Sequence, residues 1–342
     1  MSDKPVIALD AMGGDFGPEV VVPAAARILK QRSDVTLILV GLEEVLTQQL
    51  AQHGLSISDR LQIHPASEVV AMDESPAQAL RKKKDSSMRV AINLVHEKRA
   101  HAVVSAGNTG ALMATAKFVL KMLPGIDRPA IMTTLPSLHG HTHMLDLGAN
   151  VDCSAEHLFQ FAVMGSITAS AVDNVENPRI GLLNVGSEAM KGNAQVKEAD
   201  RLLQDVKGLN YIGFVEGDDI YLGDVDVIVC DGFVGNISLK TSEGVAKMIT
   251  HYMKQEFMRN GFTKLIGLLA MPVLKAFKKR VDPRVYNGAS LLGLQDIVIK
   301  SHGGADAFSY ANAINIALLE VEKAVPQRID KHLETLLEKE SV

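Results

Sequence analysis

The chain has 342 residues, enough for one large α/β unit or roughly two domains, and its formal net charge of -5 gives no electrostatic reason to expect nucleic acid. A hydrophobic share of 47% with no Trp indicates a core of Val, Ile, Leu, Ala and Met, and two cysteines, Cys153 and Cys230, are too few for a disulfide framework. Asp3, Asp10 and Asp15 interrupt any signal-like stretch and no uncharged apolar run approaches the ~20 residues of a membrane span, so a soluble protein of the reducing cytoplasm is expected.

The first predicted element is the strand Val6 to Leu9, apolar throughout and closed by Asp10, as suits a parallel strand covered on both faces. Gly13, Gly14 and Gly17 follow, then Pro18 and Glu19 open a helix. Such a turn can press its N–H groups against an anion, or it can simply join strand to helix. The G-x-G-x-x-G and Walker lysine patterns are both absent.

A strand from Val35 to Val40, a helix from Glu43 to His53 and a strand from Leu61 to His64 continue a β-α-β rhythm. Ser75-Pro76 starts a further helix, and Arg81 to Lys84 gives four positive charges, a solvated face or a landing area for an acidic partner. An amphipathic helix from Ser86 to Arg99 leads to the strand His101 to Ser105, which runs into Gly107-Asn108-Thr109-Gly110. The Asn108 amide and Thr109 hydroxyl stand at a helix N-terminus, where they serve either an anion or an ordinary cap.

Strands are predicted at Ala130 to Thr134 and Met144 to Leu147, the second running into Gly148-Ala149-Asn150, with a helix from Ala155 to about Val172 after them. The strand Ile180 to Val185 ends in a third glycine-bearing junction, Gly186 to Asn193, that includes Lys191. A lysine there either stabilises developing negative charge or is a common surface lysine. Asp226 to Cys230 is a buried strand ending in Asp231-Gly232-Phe233-Val234-Gly235-Asn236, with a long helix read from Ile237 to Met258. Four junctions of one type argue for a site assembled where the strands end.

Residues 261–280 differ from the rest: an uncharged run from Leu265 to Leu274 is flanked by Lys264, Lys275, Lys278, Lys279 and Arg280, no acid dilutes them, and Pro272 breaks the helix in two. A basic amphipathic segment of this kind lies on an anionic membrane surface, or packs two copies together with a basic rim. The strand Ile297 to Ile299 then ends in Lys300-Ser301-His302-Gly303-Gly304, with His302 placed for acid–base work or anion binding and equally for a structural role. The chain finishes in a helix from Ala305 to Val325, broken at Pro326, and a charged helix.

No C-x-x-C, H-E-x-x-H or G-x-S-x-G pattern appears, so zinc and serine chemistry are unsupported and no metal or cofactor is expected. An anion site of backbone N–H groups, amides and a lysine suits phosphate held as a nucleophile against an activated carbonyl.

ALDAMGGDFGPE at the start, SAGNTGAL at 105–112, LDLGANVD at 145–152, NVGSEAMKGN at 184–193, CDGFVGN at 230–236, YNGASLLGL at 286–294 and KSHGGA at 300–305 occur in an order that resembles the bacterial phosphate acyltransferases of phospholipid synthesis. The resemblance implies a single large α/β catalytic unit, a three-layer α/β/α sandwich, Rossmann-like and similar to phosphotransacetylases and to the isocitrate and isopropylmalate dehydrogenase fold. It implies a homodimer converting long-chain acyl-acyl-carrier-protein and inorganic phosphate into acyl phosphate and free carrier protein. A membrane glycerol-3-phosphate acyltransferase would consume the product.

By motif, the resemblance puts forward Lys191 and Asn236 as catalytic. It assigns phosphate and substrate binding to Gly13, Gly14, Asp15, Gly17, Gly107, Asn108, Thr109, Gly110, Asn193, Gly235 and His302. Phosphate is expected among Gly13, Gly14, Asn108, Thr109 and Asn193. The tip residues Phe262, Lys264, Leu265, Leu268, Leu269, Lys275, Phe277, Lys278 and Lys279 would meet the inner face of the cell membrane or the carrier protein. Two other classes compete: a dehydrogenase on the related fold, against which the missing dinucleotide fingerprint counts, and an inactive membrane-surface scaffold, which leaves the glycine-rich strand ends unexplained.

Overall fold

The computed structural model describes residues 4–340, and one mixed sheet of 11 strands runs through the molecule. The first half alternates regularly: β1 (Val6–Asp10), α1 (Pro18–Gln31), β2 (Thr36–Gly41), α2 (Glu43–Gln52), β3 (Leu61–Pro65), α3 (Pro76–Lys82), α4 (Ser87–His96), β4 (Ala102–Ser105) and α5 (Thr109–Leu120). A hairpin of β5 (Ala130–Ser137) and β6 (Gly140–Leu145) leads into α6 (Ala155–Asp173), β7 (Ile180–Leu183), α7 (Ala194–Gln204), β8 (Tyr211–Val215), α8 (Asp219–Leu222) and β9 (Val227–Val229). Then come α9 (Gly232–Met258), α10 (Gly261–Leu269), α11 (Met271–Val281), the hairpin β10 (Ala289–Leu292) and β11 (Ile297–Lys300), α12 (Ala307–Lys323) and α13 (Val325–Glu340).

The strand order is β3-β2-β1-β4-β11-β10-β5-β6-β9-β7-β8. From β3 to β11 the neighbours are parallel, and so are those from β6 to β8. Between the two blocks, β11/β10, β10/β5 and β5/β6 are all antiparallel. Three reversals turn the second block head to tail against the first. Strands β1, β2, β4, β7 and β9 are largely apolar without alternation because helices cover both faces. One core cluster joins α4 and α5 to a sheet face in both blocks, while the opposite face carries α1 and α12 in the first block and α6, α7 and α13 in the second.

Local chemistry sets most boundaries. Pro18 sits in the first turn of α1, and α6 opens with a capping box in which Ser154 Oγ accepts from His157 N at 3.3 Å and His157 Nδ1 accepts from Ser154 N at 3.0 Å. Two expected boundaries shift. β6 begins at Gly140 instead of Met144, because its first residues pair with β5 in the hairpin. α9 begins at Gly232 instead of Ile237, because the Asp231 carboxylate accepts from Val234 N at 2.9 Å and caps the helix there. Ala289–Leu292, a four-residue run between glycines too short for its pattern to declare an element, is strand β10. The sequence reading also passed over α7 and β8.

Residues 261–281 form two helices broken at Ala270, with Pro272 in the first turn of the second, as the proline predicts. Among the described residues, no helix is long and apolar enough to cross a membrane.

Candidate active site

The reversal of the sheet corrects the expectation of a single site at one strand edge. The β1, β4 and β11 turns emerge at the carboxyl ends of the first block, while the β6, β7 and β9 turns emerge at the carboxyl ends of the second, which points the other way. The five residues expected to share one phosphate therefore divide. Gly13, Gly14, Asn108 and Thr109 belong to the first set and Asn193 to the second.

In the first set the turns touch. A Cβ on Gly13 would lie 2.8 Å from Gly107 N and 2.5 Å from Asp10 Oδ2, and one on Gly14, at φ +87°, would lie 2.9 Å from Gly303 O. Asp15 N donates to Gly303 O at 2.9 Å, which ties the first turn to the β11 turn. Behind them Asp10 is fully buried and accepts from Ser87 Oγ and Ser105 Oγ, each at 2.6 Å, and from Met12 N. Burial pushes its carboxyl above the ordinary range against those bonds. Lys300, half-buried, donates to Ala106 O at 3.2 Å and to Ser301 O, and desolvation lowers its ammonium to about 8. A water-sized cavity lies between Gly13, Gly17, Ala106, Gly303 and Tyr310.

Several proposed donors here are already engaged. Asn108 Nδ2 donates to Met72 O at 2.8 Å and Glu74 O at 3.0 Å, while its Oδ1 accepts from Ala111 N at 2.9 Å, so the side chain is a helix cap and a strap. His302, exposed at the surface, has its Nδ1 accepting from Gly304 N at 3.0 Å, and desolvation lowers its pKa, while its Nε2 makes no hydrogen bond among the described residues. The backbone N–H groups of Thr109 and Gly110, in the first turn of α5, make no hydrogen bond among the described residues and remain able to meet an anion. Gly110 has no room for a side chain, since its Cβ would meet Pro76 Cγ at 2.8 Å.

The second set is organised by Asp146, which is buried just past β6. Its Oδ1 accepts from Ile131 N, Gly148 N and Ala149 N at 3.0, 3.2 and 3.0 Å; its Oδ2 accepts from Asn150 N at 2.7 Å and Asn150 Nδ2 at 2.9 Å. α9 starts against this turn: a Cβ on Gly235 would fall 2.0 Å from Asp146 O, and one on Gly232 would fall 2.4 Å from Asn150 O. That close approach sets Asn236 beside Gly148, exposed and with no side-chain hydrogen bond among the described residues.

On β7, next to β9 in the sheet, the loop carrying Lys191 is closed by Asn184, whose Nδ2 donates to Gly186 O at 3.0 Å and Lys191 O at 3.3 Å. Lys191 is 46% exposed and its Nζ lies 2.7 Å from Glu188, an open surface pair that a competing anion can replace. Asn193 Oδ1 accepts from Val196 N at 2.9 Å and caps α7.

α9 links the two sets. It begins at the Asp146 turn, and by Lys240 and Glu243 its charges act on Lys300 and His302 of the first set. Asp10, Ser105, Asp146, Asn184 and Lys300 escaped the sequence reading as site residues. The available signal was polar residues at the very ends of apolar strands, Asp10, Ser105 and Lys300 above all.

The two thiols are not nucleophiles at neutral pH: burial pushes Cys153 to about 11 and Cys230 well above the ordinary thiol range. In the tip, Phe262 and Leu269 are 73% and 74% exposed, with Leu265, Leu268 and Phe277 also open and Lys264, Lys275 and Lys279 exposed among them. The Lys278 side chain lies outside the described residues.

A family described as "Fatty acid synthesis protein" matches residues 6–328. The chain is similar to a phosphate acyltransferase of Alkalilimnicola ehrlichii, 63% identical over 337 residues and 98% of both chains. It is likewise similar to a phosphate acyltransferase of Nitrosococcus oceani, 61% identical over 331 residues and 97% of both. Among solved structures, a phosphotransacetylase from Streptococcus pyogenes superposes with a TM-score of 0.63 at 19% identity, over 94% of this chain and 95% of that one. That likeness concerns the fold, a Rossmann-like α/β sandwich.

Proposed function

The chain belongs to the bacterial phosphate acyltransferase family and is an acyltransferase, and from that premise we propose that it moves a long-chain acyl group from acyl-acyl-carrier-protein to inorganic phosphate. The products are acyl phosphate and free carrier protein, and the acyl phosphate feeds phosphatidic acid synthesis through a membrane glycerol-3-phosphate acyltransferase. The observation that carries this reading is the pair Lys191 and Asn236. They stand on turns of adjacent strands, exposed and outside the internal hydrogen-bond networks, in a molecule whose thiols are buried and protonated. With no thiolate to form an acyl-enzyme, a phosphate oxygen attacks the thioester carbonyl carbon directly, the C–S bond breaks and the carrier thiol leaves.

In this mechanism Lys191 and Asn236 meet the negative charge of phosphate and of the developing oxyanion. On the other edge of the sheet, the unbonded N–H groups at the start of α5 hold a separate anionic group of the substrate, the phosphate of the carrier's phosphopantetheine arm, with Gly13, Gly14, Gly17 and Gly107 giving the turns their shape. Asp15 serves by tying turns together through its backbone N–H, already spent on Gly303 O, while His302, whose Nδ1 accepts from Gly304 N, keeps its Nε2 open to substrate. Asn108 acts as the cap that fixes the α5 N-terminus.

The tip of α10 and α11 associates with the inner membrane surface through Phe262, Leu265, Leu268 and Leu269, with Lys264, Lys275 and Lys279 toward anionic headgroups. Val245, Met248, Ile249 and Tyr252 make an exposed apolar stripe at helical spacing on α9, which supports a homodimer paired along that helix. The deciding assay incubates the protein with palmitoyl-acyl carrier protein with and without inorganic phosphate and traps acyl phosphate with hydroxylamine. Phosphate-dependent thiol release with trapped hydroxamate is expected; release independent of phosphate would make the protein a thioesterase. Sedimentation with anionic vesicles that survives Leu268→Glu would remove the tip from the membrane reading, and an unchanged mass by light scattering after Ile249→Glu would remove α9 from the dimer.

A further inference from the structure

We propose that His141, His143 and Asp173 form a transition-metal site of the zinc type that clamps the β5–β6 hairpin to the end of α6. The two histidines alternate along β6 and so share one face of the strand. Asp173 is the last residue of α6 and closes on them from the helix layer. His143 Nε2 lies 2.7 Å and His141 Nε2 3.0 Å from the same Asp173 Oδ2, and the three ligand atoms lie within 4.8 Å of one another. Zinc bonds of about 2.0–2.2 Å in a tetrahedron put ligand atoms roughly 3.5 Å apart, so small side-chain movements convert this hydrogen-bonded trio into a coordination shell.

The surroundings fit a metal as well as the ligands do. His143 Nδ1 is hydrogen-bonded to Thr134 Oγ1 at 3.1 Å, the outer-shell contact that fixes a ligating ring and presents its other nitrogen. The His143 side chain is 6% exposed and His141 37%, so one side of the cluster is walled by protein and the other admits an ion and a water as fourth ligand. Asp226, ion-paired with Arg179 at 3.0 Å, adds negative potential near His141. Two imidazoles and one carboxylate select zinc, cobalt or nickel over magnesium or calcium, which prefer all-oxygen shells. The cluster lies toward the start of β6, whereas the Asp146 turn is past its end, so the metal's role is to fasten the hairpin and not to take part in acyl transfer.

The test uses the full chain, free of affinity tag and dialysed against chelator, titrated with Co2+ and followed by visible absorption. One equivalent per chain with the intense bands of a tetrahedral site, displaced by Zn2+, is expected. His141→Ala, at a half-open position where the fold survives, abolishes the bands and the rise in Tm that Zn2+ gives the parent. Thr134→Val weakens binding about tenfold by releasing the His143 ring. Weak octahedral absorption that is the same in the parent and in His141→Ala, or no uptake by either, overturns the site and leaves the trio a hydrogen-bonded cluster. Asp173→Asn is the second variant: a spectrum identical to the parent's overturns the carboxylate's place in the shell and with it the clamp to α6.

Discussion

Two buried aspartates organise the two sets of turns, and they are held by different partners. Asp10 receives two serine hydroxyls and one backbone N–H and has the half-buried Lys300 ammonium in its field. Asp146 receives backbone N–H groups from Ile131, Gly148, Ala149 and Asn150, with the Asn150 amide besides. A carboxylate held by side chains and facing a lysine sets the charge of its neighbourhood. A carboxylate held by main chain sets the path of that main chain. The first block therefore owes its electrostatics to Asp10, and the second owes to Asp146 the shape that seats α9 and Asn236.

The sharpest way to break this contrast is Asp146→Ala, which strands several buried N–H groups at once and should cost about 4 kcal/mol in urea denaturation. A loss no larger than that of Asp10→Ala would mean that main-chain partners confer no special hold. Lys191→Ala comes next: if the open residues do the chemistry and the buried ones the shaping, kcat falls about a hundredfold, close to 3 kcal/mol, while the melting temperature stays put. A drop in both together would place Lys191 among the shaping residues.

Glu320 extends the comparison to a buried carboxyl with a single partner, the Ser290 hydroxyl, and its pKa is pushed up to about 7 from 4.5 by burial. The folded state thus keeps its proton after the unfolded chain has lost it. Its stabilising contribution is full below pH 4.5 and is lost as pH rises through 7, on the order of 3 kcal/mol at most. Glu320→Gln should flatten that decline, read as unfolding free energy from pH 4.5 to 8, and an unchanged slope would assign the decline to other groups. The smallest effect is Asn108→Ala, about 1 kcal/mol for a lost cap, with KM for acyl-acyl-carrier-protein rising as the α5 N-terminus loosens. An unchanged KM would separate that helix end from the carrier's phosphopantetheine.

Much of this architecture is legible in the sequence because the signals are local. Strands covered on both faces read as unbroken apolar runs, and Pro18, Ser75-Pro76 and Pro272 mark helix starts by chemistry that needs no tertiary context. The direction of a strand carries no such signature. β10 is four residues between glycines, and only its pairing with β11 and β5 reveals the reversal that divides the glycine-rich turns between two edges. Site residues followed the same rule. Lys191 and Asn236 stood out as polar residues in glycine company, while Asp146 and Lys300 depend on burial, which a strand-end acid or lysine does not announce. Asn108 illustrates the converse: its amide reads as an anion donor until Met72 and Glu74 supply the carbonyls that occupy it.

α9 has 27 residues, hence a length of about 40 Å, and its buried positions are Gly232 and Gly235 at one end. Leu239 packs against the core and Ser242 Oγ accepts from Tyr221 OH, so the first three turns of α9, Asn236 among them, are clamped to the body. Mechanically the remainder is a cantilever of about 24 Å, and a bend of about five degrees beyond Ser242 would swing its far end by roughly 2 Å without moving Asn236. The outer helices can ride over an uneven support while the clamped end stays in register.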